Sequence, residues 1–173
     1  MTAAAACATA PSAAAPARSS RNPGSTCPNC NKTNWAGMST LMKAHHPDLV
    51  LLQLGVNDVW SGQAPIEPIL ANYSKLVEQA RAENPNVVVV VAQIHKIITD
   101  NCKNTASTQN AEALVKAVPG WANGISNASS PVYVADLWTN SDPHDADDCV
   151  HPNDAGARRM GLNWFNALKA ILK

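Results

Sequence analysis

Apolar residues along this chain fall into two kinds of run, and the runs alternate. Leu49-Val50-Leu51-Leu52-Gln53-Leu54 is nearly continuous, as expected for a strand buried on both faces of a parallel sheet. Pro47 and Gly55 bound it as turn residues bound a strand. Five consecutive valines, Val87 to Val91, continue into Ala92-Gln93-Ile94 and give the clearest strand signal in the chain. Pro131 to Asp136 is a third, shorter strand. Between these runs the period changes to that of a helix. Ile66, Ile69, Leu70, Tyr73, Leu76, Val77 and Ala80 form one stripe over residues 65–83, closed by Asn84-Pro85-Asn86. A short helix is expected from Met38 to His46 and another from Gln109 to Val118. Pro119-Gly120 is expected to break the latter before a last turn at Trp121 to Ile125. The stretch from Ile97 to Ser107 reads as irregular. Asn153 or Asp154 caps a final helix that carries Met160, Trp164, Leu168 and Ile171 at helical spacing. Trp164 and Phe165 are expected in the core.

Strands alternating with helices over connections of this length imply βαβ units and a parallel sheet. Right-handed crossovers then bring every strand's carboxyl end to one edge, where open α/β sheets bind ligands. Asn57 and Asp58, Gln93, Asp136 and the loop at Asp148 to His151 are expected to meet there. Cys102 follows the valine strand and Cys149 lies in the last loop, so both fall at this edge. They are read either as a disulfide that pins the loop in an oxidising compartment or as two unpaired thiols.

Composition narrows the classes. With 173 residues, a net charge of +0 and charged residues at 15%, the chain is expected to form one main domain without a basic surface for nucleic acid. No segment approaches the ~20 apolar residues of a membrane span. Residues 1–33 are Ala-rich and then rich in Ser, Asn, Pro and Gly, and are expected to be a low-complexity, disordered leader and loop, with the domain proper at 34–173. The leader lacks the basic and apolar regions of a secretory signal. Acceptor patterns at Asn31, Asn72 and Asn127 nevertheless lean towards secretion. Cys27-Pro28-Asn29-Cys30 has redox or zinc spacing, but no second pair completes a zinc site, so no metal is expected.

The chemistry concentrates in Asp147-Asp148-Cys149-Val150-His151-Pro152-Asn153-Asp154. A histidine acting as general base needs a carboxylate to fix its tautomer and stabilise the imidazolium. An aspartate three residues earlier can fold back onto the ring if the loop turns tightly. An acidic loop holding a solvated histidine is the competing account.

Gly55-Val56-Asn57-Asp58 and Asp148-Cys149-Val150-His151-Pro152-Asn153 resemble the third and fifth blocks of the SGNH (GDSL-type) hydrolases. The chain from about Trp35 onward is most similar to their acetylxylan-esterase-like branch, with support from His46-Pro47-Asp48, Asn57-Asp58-Val59-Trp60, Val91-Ala92-Gln93-Ile94 and Pro119-Gly120-Trp121-Ala122. The resemblance implies a three-layer α/β/α sandwich with a flavodoxin-like parallel sheet. It further implies an extracellular ester hydrolase without a cofactor, acting on acetylated carbohydrate. By match to the motif, His151 is the base, Asp148 orients it, and Asn57 donates its amide to the oxyanion hole. Gly37 is the candidate for the second oxyanion donor, with a turn before a helix as its structural alternative. Trp60 and Trp138, which follow strand ends, are candidates for stacking on sugar rings, while Trp121 is expected to pack.

The family's first block, a strand followed by Gly-Asp-Ser that carries the nucleophile, has no counterpart among these residues. Gly24-Ser25-Thr26 is the nearest imitation, but no apolar strand precedes it, so Ser25 is not assigned and the nucleophile stays unknown. The fold is therefore expected to be N-terminally truncated, or to be a non-catalytic fragment or relative, with the Leu49 strand left at an open sheet edge.

Overall fold

The computed structural model describes residues 3–5, 37–60, 65–97, 105–142 and 144–172. Strands β1 (Ala3–Ala5), β2 (Leu49–Leu52), β3 (Val88–Gln93) and β4 (Val132–Asp136) form one parallel sheet in the order β1-β2-β3-β4. Among the described residues five helices accompany them: α1 (Met38–His45), α2 (Val56–Trp60), α3 (Ile66–Glu83), α4 (Thr105–Ile125) and α5 (Asp154–Ile171). The expected alternation of strand and helix, and the parallel pairing, are both present.

Alternation along the strands divides the buried residues between two faces. Val50, Leu52, Val89, Val91 and Val132 meet Met38, Met42, Ile69, Tyr73, Val77, Leu114 and Val118 from α1, α3 and α4 in the main core. Each fully buried aliphatic side chain contributes roughly 1.5–3 kcal/mol here. Val90, Ala92 and Ala135 point the other way and are equally buried, and α5 packs on that side of the sheet. The sheet is therefore a middle layer with helices on both sides.

Several expectations need correction. The leader is not wholly disordered, because Ala3–Ala5 pairs in register with Leu49–Leu51, and β2 is an interior strand rather than an open edge. The remainder of residues 1–33 lies outside the described residues, apart from this strand. The helix expected to break at Pro119 runs unbroken from Thr105 to Ile125. A proline denies the carbonyl four residues earlier its N–H donor. Here that carbonyl, Val115 O, accepts Gln93 Nε2 at 2.9 Å instead, so the helix continues at little cost. Phe165 is not core but 59% exposed, and Trp164 is half-buried. Phe165 sits one helical step from the inward stripe of Asn163 and Trp164, on the flank of α5 turned from the sheet. The polar turn expected after β2 is a short helix, α2.

Candidate active site

The turn out of β2 is built around Gly55. Its φ is +99°, a left-handed conformation, and a Cβ there would lie 2.6 Å from the Tyr73 hydroxyl and 2.8 Å from Leu114 Cδ2. Only glycine satisfies both conditions. The Tyr73 hydroxyl donates to the buried Leu54 carbonyl at 2.6 Å, and burial pushes this phenol above its usual range. The chain then enters α2, which places Asn57 on the surface at the carboxyl edge with no hydrogen bond to the described residues. Asp58, half-buried beside it, is raised by desolvation.

Gly37 arrives at the same edge by a different route. Lys43, near the end of α1, pairs with Glu83 at the end of α3 at 3.4 Å, and His46 to Asp48 lead directly into the start of β2. Both helices therefore finish at the amino edge of the sheet, and α1 begins at the carboxyl edge. Gly37 is its exposed N-cap, with φ −63° and ψ 165°, and nothing lies within 4 Å of where its Cβ would be.

The loop after β4 carries the pair read from the sequence. His151 Nδ1 lies 2.6 Å from Asp148 Oδ2, while Asp148 Oδ1 accepts the backbone N–H of His151 at 2.8 Å and of Val150 at 3.2 Å. The backbone N–H of His151, then its ring, then the Val150 N–H hold the Asp148 carboxyl down at about 2. An ionised carboxylate only accepts, so Nδ1 carries a proton, and in the neutral ring Nε2 then presents a lone pair. The two side chains are 82% and 59% exposed, so the pair adds little stability and its effect is orientation.

The loop is held from below. Asp145 Oδ2 accepts from Arg159 Nε and from the Asp142 N–H, both at 2.8 Å, and its carbonyl accepts the Asn153 N–H at 2.8 Å. Gly156 lies so close beneath that a Cβ would run into the Asp145 carbonyl. Asn153 caps α5 by accepting from the Gly156 N–H at 3.0 Å, and its amide donates to His144 O and Asp147 Oδ1. Cys149 takes φ +78°, which lets the backbone fold back on Asp148, and its sulfur is in a disulfide. The other cysteines lie outside the described residues. From β3, His95 Nε2 meets the Val150 carbonyl at 2.8 Å, and Trp164 Nε1 of α5 donates to Gln53 Oε1 beyond β2 at 3.3 Å.

The structure thus brings Gly37, Asn57, Asp148 and His151 to one sheet edge. Gln93 and Asp136 lie there too but serve the fold. Gln93 supports α4, and although burial raises the Asp136 carboxyl, hydrogen bonds from the Thr139 side chain and from the Thr139 and Trp138 N–H groups together outweigh it and lower the group. Trp60 is half-buried against the core, and its carbonyl accepts the Ser107 hydroxyl at 2.7 Å. Half-buried Trp138 has Lys96 Nζ 5.9 Å from its ring centre. Trp121 packs edge-on against Tyr73, as expected. Ser25 and the Cys27–Cys30 pair lie outside the described residues. Among the described residues no cluster of metal-binding side chains occurs, and no helix is long and apolar enough to cross a membrane. The sequence reading passed over His95, Asp145, Gly156 and Arg159. Only the place of His95, just past the end of a buried strand, hinted at the edge.

Residues 12–159 match the GDSL-like lipase/acylhydrolase family. The chain belongs to this family of SGNH-type hydrolases. It is 31% identical over 136 residues to a multidomain esterase of Ruminococcus flavefaciens, a match that covers 76% of this chain and 17% of that protein. Among solved structures it is similar to a carbohydrate esterase family 3 protein of Talaromyces cellulolyticus, with 30% identity and a TM-score of 0.66 over 78% of this chain and 63% of that one. A family 3 carbohydrate esterase of Clostridium thermocellum shares the fold at 24% identity, with a TM-score of 0.60 over 78% of this chain and 62% of that one. The chain therefore spans less than two thirds of the length of each of these relatives.

Proposed function

We propose that this site belongs to a carboxylic ester hydrolase that removes acetyl groups from carbohydrate. The observation that carries the reading is the 2.6 Å contact between His151 Nδ1 and Asp148 Oδ2, at the same carboxyl edge that carries the exposed Asn57. In this mechanism Nε2 of His151 takes the proton of an attacking hydroxyl and Asp148 stabilises the resulting imidazolium. The Asn57 amide and the Gly37 N–H donate to the oxyanion, the amide contributing ~3–4 kcal/mol of transition-state stabilisation. Trp60 and Trp138 offer apolar faces for a sugar ring. No step requires a cofactor. The esterases that the chain resembles support the substrate class, and the Cys149 disulfide supports an oxidising, extracellular setting.

A second reading, a non-catalytic carbohydrate binder, is favoured by one observation. β1 pairs where the resemblance puts the nucleophile strand, yet the sequence after it runs Ala6-Cys7-Ala8 and contains no Gly-Asp-Ser. Acetate release from p-nitrophenyl acetate and from acetylated xylo-oligosaccharide, with His151→Ala as control, separates the two. His151-dependent release supports the esterase. Oligosaccharide binding without release supports the binder.

A further inference from the structure

The Asp148–His151 pair sits in an exposed loop, yet one peptide unit of that loop is clamped from both ends. All peptides among the described residues are trans, so the carbonyl and the N–H of the Val150–His151 unit point in opposite directions. The carbonyl meets His95 Nε2 at 2.8 Å, and the N–H donates to Asp148 Oδ1 at 2.8 Å. The other oxygen of the same carboxylate holds His151 Nδ1 at 2.6 Å. A continuous chain of hydrogen bonds thus runs from His95, through one amide, to the carboxylate and back to the His151 ring.

We propose that His95 is a positioning residue for the His151–Asp148 pair, acting through the Val150–His151 peptide unit. His95 is 7% exposed, between Ile94 and Ile97, each 1% exposed, so it is fixed where the pair is not. Its bond to the carbonyl sets the rotation of the peptide plane and so aims the His151 N–H at Asp148. Hydrogen bonding at one end of an amide also strengthens the bond at the other.

The tautomer follows from the partners. A carbonyl only accepts, so Nε2 of His95 carries a proton, and in the neutral ring Nδ1 is an acceptor. That Nδ1 and the amide Nδ2 of Asn163, which is a donor, are both buried without a partner among the described residues. They line the same cleft beneath the loop, with Asp145, Pro152 and Arg159 on its walls. An acceptor and a donor on one cleft are complementary, so the Asn163 side is compatible with the Nε2–H tautomer that donates to Val150.

The proposal rests on reading His151 and Asp148 as the working pair, but its test reads the carboxylate rather than ester turnover. A failure here and a failure of the esterase reading are therefore distinct. The Asp148 carboxyl carbon is titrated by NMR in the full chain and in three variants, with thermal melting as the check on folding. The carboxyl should titrate near 2 in the unaltered chain. His95→Gln, whose amide reaches the Nε2 position, should keep that value. His95→Leu and His95→Asn, which offer Val150 no donor, should move it up towards the ordinary 3.8. A merely structural role would lower melting temperatures without separating Gln from Asn. If Leu and Asn variants titrate like the unaltered chain, or if the Gln variant shifts with them, the proposal is overturned. Should His95→Leu not fold, the Gln and Asn variants decide it alone.

Discussion

The side-chain amide of Gln93 donates to the Val115 carbonyl at 2.9 Å, taking the place that the absent N–H of Pro119 leaves in α4. The relationship ties the end of β3 to a helix interior and makes the two positions energetically dependent. Gln93→Leu leaves a helical carbonyl unpaired and should cost ~1–3 kcal/mol. In a Pro119→Ala background the new backbone N–H can itself donate to Val115, so the same Gln93→Leu change should cost well under half as much. Urea unfolding of the four chains measures the coupling. Additive costs would contradict it.

The Asn57 side chain is exposed and makes no hydrogen bond to the described residues, so its replacement should separate chemistry from stability. Asn57→Ala is expected to leave the melting temperature within error, since exposed substitutions of this kind stay within about 0.5 kcal/mol. On the esterase reading kcat should fall ~10²–10³-fold with KM little changed, because the donor acts on the oxyanion and not on the bound ester. A change in KM alone would assign Asn57 to binding instead.

Asp148 has a definite pH signature. Its folded-state carboxyl, at about 2, lies below the ordinary 3.8, so its contribution to stability is complete above 3.8 and is lost as pH falls through 2. The stability difference between the unaltered chain and Asp148→Asn should stay constant from pH 6 to about pH 4, then shrink towards pH 2. Denaturant titrations at several pH values test this. In turnover, the same variant should lose up to ~10⁴-fold in kcat, because an amide no longer enforces the Nδ1–H tautomer.

Cys149 is disulfide-bonded, and a cross-link to Cys102, which the sequence puts after β3, is the expected pairing. Peptide mapping under non-reducing conditions should recover those two cysteines together. Recovery of Cys149 with any other cysteine overturns the assignment. Cys149→Ser should cost ~2–4 kcal/mol. It should also loosen the turn whose φ of +78° the cross-link helps to hold.

What the sequence revealed and what it concealed follow from the range of each interaction. The valine run and the 65–83 stripe announce β3 and α3 because period and burial are local properties, and both lie within one residue of expectation. Asp148 and His151 were legible because their contact spans three residues. The continuity of α4 through Pro119 was not, because the amide that permits it comes from Gln93, 22 residues from the carbonyl it serves. His95 stayed hidden for the same reason, since its partner carbonyl is 55 residues downstream. Phe165 misled because an apolar residue in an amphipathic helix reads as core unless the width of the covering layer is known. The strand at Ala3–Ala5 misled because alanine carries no β signal, and only its register against Leu49–Leu51 defines it.

The bond from Trp164 to Gln53 joins positions 111 residues apart. During synthesis, residues 49–60 leave the ribosome long before the helix that meets them. Until residue 164 has emerged, the turn bearing Asn57 can be complete while its counterpart bearing His151 is unsupported. Assembly of this edge therefore waits for residue 164, and the His151 loop gains its support from α5 only after the turn bearing Asn57 has formed.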